Sequence, residues 1–415
     1  MTVIDRIHAH GRFSGKPGLH RIRALCAALG NPQKGLKFVH LAGTNGKGST
    51  AAMLAAVLQQ AGYRTGLFTS PFLVTFHERI QVNGQMISDA DLQRLAERVE
   101  QVERTLTLPA GECIGEFEFV TALGFLYFAE QGCDIVVLET GLGGSFDATN
   151  VIDPPEVAVL TSISLDHTAV LGRTTGEIAR TKAGIFKPGS AAVCASGQPE
   201  DAMTVIRSVR PDVQVPGPAE SIRYDWTGVH FCWQGKPYDV PLIGPHQVQN
   251  ACTALQAIDA LRSRGWTLPS EVVAVGLAHA FLPGRMQILR KNPHILVDGG
   301  HNIGGVKAIR STVDALPFDG RLLLVIGMVA DKDVKACASI LADVGDAVFA
   351  TQPDSERALP AAELATLLPA AKVQGTFVHA ADALRAVLAA AQPTDTILIC
   401  GSLYLVGEAE KFFAS

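Results

Sequence analysis

The sequence predicts an α/β protein. It reads as a large, doubly wound, mostly parallel sheet carrying a phosphate loop, a small antiparallel sheet, and a smaller Rossmann-like α/β domain towards the C-terminus. Short apolar runs alternate with amphipathic helical stretches along most of the chain, the pattern of successive β-then-α units. A glycine-rich turn holding a lysine joins one such run to a helix of small residues. The alternation then restarts after Leu282-Pro283-Gly284-Arg285, a turn signal that marks a hinge.

The elements follow in order. KFVHL (37–41) reads as a strand, 47–61 as the helix after it, and 65–68 as a short strand. The stretch 88–106 opens with Ser-Asp-Ala-Asp, an N-cap signature, and continues as a charged helix. Residues 117–131 form a buried helix, and 134–140 and 157–162 are apolar strands covered on both faces. Residues 221–242 alternate polar and apolar around two turn signals, as a small antiparallel meander does. Helices follow at 246–263 and 270–279. The second βα series places strands at 294–297, 321–326, 346–350, 376–379 and 396–400.

The chain has 415 residues, which suits two domains, placed here at 1–283 and 284–415. A net charge of −5 argues against nucleic acid as a partner, so an anionic substrate needs a local positive pocket or a metal ion. Eight cysteines without a CxxC pair read as buried thiols in a reducing compartment. Residues 1–11 lack the apolar core of a signal peptide, and no apolar run reaches the ~18 residues that span a bilayer. A cytoplasmic monomer with no membrane partner is expected.

Four positions invite chemistry. In Gly43-Thr44-Asn45-Gly46-Lys47-Gly48-Ser49-Thr50, glycines let backbone N–H groups turn towards an anion at a helix N-terminus. Lys47 would reach the β- and γ-phosphates of a nucleotide, and Ser49 or Thr50 the metal. The spacing departs from the standard loop, which has glycine at Leu41 and a hydroxyl at Gly48. The alternative is a glycine-rich strand-to-helix turn around a structural lysine; the context of strand, glycines and helix favours the nucleotide. Glu139 ends a strand before a glycine-rich turn, where a carboxylate either holds Mg²⁺ or caps a neighbouring helix. From spacing alone His167 is a hydrogen-bonded loop histidine, since Mg²⁺ prefers oxygen. Lys182, at a helix end, is by default a solvated charge favoured by the dipole.

Taken together, the runs GLHRIRALCAALGNPQ, HLAGTNGKGST, TSPFLVTFHERIQVNG, FEFVTALGF, VVLETGLGGSFDATN, TSISLDHTAVLG, KAGIFKPG, GPHQVQNACTAL, LPGRMQ, VDGGHN and GMVADKD resemble the folylpolyglutamate synthase/dihydrofolate synthase family of the Mur-ligase group. They stand in family order over most of the chain. The resemblance implies an ATP-dependent ligase that adds L-glutamate to dihydropteroate or a reduced folate through an acyl phosphate. It implies Mg²⁺, two ions, held by Ser70, Glu139, His167 and a carbamylated Lys182; a monovalent cation is a further candidate. It assigns catalysis to Lys47, Lys182 and His167, and contacts with ATP to Asn250, Arg285 and Asp298. Phe72, Phe117 and Thr121 fall on the pterin side, and His301 near the glutamate. Two departures stand out: Phe72 where the family usually has histidine, and Asp298-Gly-Gly-His-Asn where it has DxAHN. The rivals are a Mur-type cell-wall ligase, a P-loop kinase or ATPase with another acceptor, and a non-catalytic nucleotide-binding protein.

Overall fold

Five-residue runs such as Phe38-Val-His-Leu-Ala42 and Ile135-Val-Val-Leu-Glu139 are buried at every position, as strands covered by helices on both faces must be. A computed structural model describes residues 1–11 and 17–414. The chain forms two compact units: residues 1–218 with 249–280, and residues 219–248 with 281–415.

The first unit holds a seven-stranded sheet. Its strands are β1 (Phe38–Ala42), β2 (Thr65–Phe68), β3 (Ile80–Val82), β4 (Gln85–Met86), β5 (Ile135–Glu139), β6 (Val157–Leu160) and β7 (Ala191–Cys194), in the order β4-β3-β2-β5-β1-β6-β7. The last five in that order run parallel, while β3 and β4 form an antiparallel edge. The helix Glu116–Glu130 puts Phe119, Phe125 and Phe128 into the main core beside Val136 and Leu138. Register matters for the site: Leu41 lies opposite both Glu139 and Val159, so the C-terminal ends of β5, β1 and β6 stand side by side. Ligands of open parallel sheets bind at such ends.

The second unit holds an antiparallel sheet of β8 (Glu220–Asp225), β9 (Gly228–Trp233) and β10 (Lys236–Val240). It also holds β11 (Gln287–Lys291), β12 (His294–Asp298), β13 (Leu322–Ile326), β14 (Ala347–Thr351), β15 (Val373–Phe377) and β16 (Thr396–Cys400), in the order β11-β12-β16-β13-β14-β15. Only β11 is antiparallel there.

The meander was assigned above to the first domain, but it packs with the second unit. Trp226 stacks on His294 at 4.5 Å and meets Phe318 edge-on at 5.4 Å, and Ile243 joins the core under β13. The strand expected at 376–379 lies at Val373–Phe377, where exposed and half-buried positions alternate at the sheet edge. Among the described residues, no helix is long and apolar enough to cross a membrane.

Candidate functional site

The loop after β1 is tied down from the end of β6. Thr44 N–H donates to Ser162 O at 2.8 Å, and Thr44 Oγ1 to Ser164 O at 3.0 Å. Asn45 O accepts from Thr161 Oγ1 at 2.8 Å and from Ser162 Oγ at 3.2 Å. Glycine is required twice. A Cβ at Gly43 would lie 1.8 Å from Thr161 Oγ1. Gly46 has φ +84°, caps the helix Lys47–Gln60, and leaves no room beside Asn250 Oδ1. Asn250 itself is buried at this turn.

Lys47 folds back over the loop. Its Nζ lies 3.5 Å from Thr44 O and 3.7 Å from Glu139 Oε1, too far for a full hydrogen bond to either. Ser49 and Thr50 are buried, and Thr50 Oγ1 has no hydrogen-bond partner among the described residues. Glu139 is buried at the end of β5.

Lys182 is not the solvated charge that helix-end chemistry suggests. It ends the helix Thr175–Lys182, is 4% exposed, and donates from Nζ to Gly43 O at 2.7 Å. Burial, aided by the charge of Lys47 and opposed by Asp166, Asp147 and Glu139, lowers its pKa to about 7. Two cations, Lys47 and Lys182, and the carboxylates of Glu139, Asp147 and Asp166 thus share one loop cluster.

His167 sits apart in character. It has φ +49° at the start of the short helix Thr168–Leu171, its side chain is 47% exposed, and Nε2 is 3.9 Å from Asp166 Oδ1. Ser70 lies in a half-exposed turn and precedes a cis Ser70-Pro71 bond. Among the described residues, no three His, Cys, Asp or Glu side chains gather as a ready cation cage. A metal here would rest on Ser70, Glu139 and a modified Lys182 as much as on His167.

The residues expected on the pterin side divide. Phe72 stacks on His8 and tilts against Phe76, with the Arg79 guanidinium 5.3 Å from both phenyl rings. Phe117 packs edge-on to Phe68 and fills the space a side chain at Gly141 would need. Thr121 is fully buried and its hydroxyl donates to Phe117 O at 2.6 Å, so its proton is committed within the helix and only an acceptor lone pair remains.

In the second unit Asp298 ends β12. Its carboxylate accepts from Met286 N at 2.9 Å and Gly300 N at 2.7 Å. Burial holds its pKa above the ordinary value, against the pull of Arg285. Arg285 donates to Gly284 O at 3.1 Å, and a Cβ at Gly299 would meet its Nη1 at 2.5 Å. His301 Nδ1 lies 2.8 Å from Gly299 O.

The comparisons with known proteins match this layout. A Mur ligase middle-domain profile fits residues 117–258, and the Mur ligase glutamate ligase domain fits 284–403. A dihydrofolate synthase/folylpolyglutamate synthase of Bacillus subtilis is 36% identical over 421 residues, covering 98% of this chain and 97% of that protein. The chain belongs to the dihydrofolate synthase/folylpolyglutamate synthase family. The Escherichia coli member is 34% identical, with 94% and 89% covered.

Two solved structures of this family agree in fold. Mycobacterium tuberculosis folylpolyglutamate synthase complexed with ADP matches at TM-score 0.90 and 33% identity, covering 100% of this chain and 98% of that one. E. coli FolC in complex with DHPP and ADP matches at TM-score 0.88 and 31% identity, with the same coverage. Sequence reading missed three buried residues of the family's first unit: His40, Asp147 and Thr149. Two of them lie in the run GSFDATN, which reads as a loop of small residues and gives no sign of what it touches.

Proposed function

We propose that this chain uses ATP to activate the carboxylate of a pteroate or folate and joins it to the amine of L-glutamate, as a dihydrofolate synthase, a folylpolyglutamate synthase, or both. The observation that carries the reading is the loop cluster: Lys47 is poised 3.7 Å from strand-end Glu139, and a buried, near-neutral Lys182 is bound to the carbonyl of Gly43.

A carboxylate does not acylate an amine at neutral pH, because oxide is a poor leaving group. In the reaction the substrate carboxylate attacks the γ-phosphorus of ATP in line, giving an acyl phosphate and ADP. The glutamate amine then attacks the acyl carbon, and inorganic phosphate leaves. The N–H groups of residues 43–50 and the Lys47 ammonium meet the phosphate charge, preorganised by the bonds to Thr161, Ser162 and Ser164. On the same reading Asn250 borders the nucleotide at Gly46, Arg285 meets phosphate and Asp298 a ribose hydroxyl. Phe72 and Phe117 flank the pterin, and His301 serves the glutamate.

The donor chemistry suits Mg²⁺. Glu139 offers a carboxylate, Ser70 a hydroxyl, His167 an exposed imidazole, and Thr50 a buried hydroxyl with no other partner. When bound, Mg²⁺ would neutralise phosphate charge and orient the oxygens of the transfer. Lys182 suits carbamylation, which would give it oxygen donors in place of a cation. CO₂ reacts only with a free amine. With its pKa lowered to about 7, Lys182 is substantially uncharged near neutrality, where an ordinary lysine is almost wholly protonated. Intact mass spectra recorded in bicarbonate should show one added CO₂, lost in the Lys182→Met variant. An unmodified wild-type chain would rule the carbamate out.

Phosphate release that requires Mg-ATP, a pteridine acid and L-glutamate together is the expected result. Release from ATP alone, or with a folate but no amino acid, would favour a kinase or ATPase. Dihydropteroate and tetrahydrofolate assayed side by side assign the acceptor.

A further inference from the structure

The second unit has its own row of strand ends. Asp298 of β12 and Ile326 of β13 both lie opposite Cys400 of β16, and Ile326 also lies opposite Ala350 of β14. The segments that leave these strands gather at one edge, the edge where parallel sheets bind ligands. His301 follows β12, Asp331 follows β13, Arg357 follows β14, and Tyr404 stands in the first turn of the helix after β16. The segments are bonded to one another. Leu359 N–H donates to Met328 O at 2.9 Å and Ala330 N–H to Arg357 O at 2.8 Å. Asp354 N–H donates to Glu408 Oε1 at 2.8 Å. Gly401, at φ +99°, lies so close that a Cβ would stand 2.8 Å from Gly327 O.

The backbone of Arg357 is thus fixed, but its guanidinium is held loosely. Nη1 donates to Asp331 Oδ2 at 2.8 Å and Nη2 to the Tyr404 hydroxyl at 2.9 Å, with the guanidinium carbon 5.8 Å from the Tyr404 ring centre. The side chains of Arg357 and Asp331 are 35% and 48% exposed. An ion pair so open to water is weak, and its acid can swing away at little cost. The Tyr404 oxygen accepts from Arg357, so its own proton remains to donate. Once Asp331 leaves, a guanidinium N–H and a phenolic O–H belonging to one bonded pair face solvent together. Two such donors suit a single carboxylate.

We infer that Arg357, with Tyr404, receives a carboxylate of the incoming L-glutamate, and that Asp331 holds that position when no amino acid is bound. The inference rests on the ligase reading, to which it adds the residue that takes the amino acid's charge. L-Glutamate brings two carboxylates, and each needs a donor on leaving water. The residues proposed for the nucleotide, Arg285 and Asp298, flank β11 and β12. Arg357 follows β14, three strands along from β12, and its printed partners are Asp331 and Tyr404. Its effect should therefore fall on the amino acid and not on the Mg-nucleotide.

Arg357→Met keeps an unbranched stem and removes the donors. The KM for L-glutamate should rise about 10- to 100-fold, with calorimetric affinity for Mg-ADP within about twofold of wild type. Asp331→Asn removes the competing acid and leaves Arg357 in place, so the same KM should fall about 2- to 5-fold. Two competitors of L-glutamate tell which carboxylate is held. L-Isoglutamine keeps only the side-chain carboxylate and L-glutamine only the α-carboxylate; the one that meets Arg357 should lose potency in Arg357→Met. An unchanged KM for L-glutamate in folded Arg357→Met would overturn the inference. So would an equal loss of Mg-ADP affinity, which an arginine that merely braces the unit would give. If Arg357→Met does not fold, Asp331→Asn decides: a lower KM supports the inference, and an unchanged or higher one overturns it. Failure of the ligase reading would show instead in the wild-type chain, as binding of Mg-ADP without phosphate release from Mg-ATP, a folate and L-glutamate.

Discussion

Both units end parallel strands with a buried carboxylate, Glu139 on β5 and Asp298 on β12, yet they hold it differently. Asp298 is bonded to its own neighbourhood, the turn at Met286 and the turn at Gly300. The surroundings of Glu139 are fastened across the fold. The phosphate loop is pinned to the residues after β6, Lys182 to Gly43, and residues 144–150 to β1 and to a helix end. Local turns can relax one at a time, whereas a frame built from distant segments moves as a whole. Charge transfer to phosphate needs groups placed in advance, and the cross-fastened unit is the one that carries the lysines.

That contrast can be broken in three ways, the largest first. Lys47→Ala should lower turnover by about 10³-fold or more with the circular dichroism unchanged, because it removes the cation that the phosphate loop presents beside Glu139. Wild-type-like turnover in the purified variant would remove the phosphate-loop assignment. Asp298→Ala, in the locally bonded unit, should cost less, about 10- to 100-fold in kcat/KM for ATP. An equal loss in both variants would erase the distinction.

A pair of glycines sharpens it further. Gly144→Ala would press a methyl onto the backbone of Lys182, whereas the nearest atoms to a methyl at Gly299 belong to the side chains of Leu403 and Arg285. Chemical denaturation should show about 1–3 kcal/mol lost for the first and distinctly less for the second. Comparable losses would mean that the helix end at Lys182 yields as readily as a side chain.

The smallest effect concerns acid. His40 in the first unit is fully buried and His246 in the second is half-buried with its Nδ1 enclosed, and burial lowers their pKa values to about 3 and about 4. Between those values and about 6.5 the unfolded chain binds protons that the folded chain refuses, so stability falls as pH drops through that window. At pH 5.5 the loss is about 1–2 kcal/mol per histidine relative to pH 7.5. Urea midpoints measured at both pH values should show it, with a shallower slope in His246→Gln. A slope unchanged by that substitution would mean that His246 titrates normally.

Much of the fold was readable because its signals are local. Lys47–Gln60 follows its glycine turn as predicted, and His246–Ser263 and Thr396–Cys400 begin and end where the pattern does. β11, half-buried to exposed along its whole length, and the exposed two-residue β4 were not read, since neither carries an apolar run. The meander itself was legible but its partner was not, because Trp226 finds His294 far along the chain. The site divides the same way. Glycines and lysines of a phosphate loop announce themselves by spacing. The burial of Lys182 and the His40–Thr149–Asp147 link depend on who arrives from elsewhere, which no window of sequence displays.

The walls around Lys182 carry a consequence for anyone labelling this protein. Burial leaves much of its nitrogen unprotonated near neutrality, but at 4% exposure bulky electrophiles have no path to it. Reagents such as activated esters, which seek reactive amines, should mark the surface lysines and pass over the most reactive one. Selection at that nitrogen is by girth, and a linear triatomic gas is among the few acylating agents slender enough to qualify.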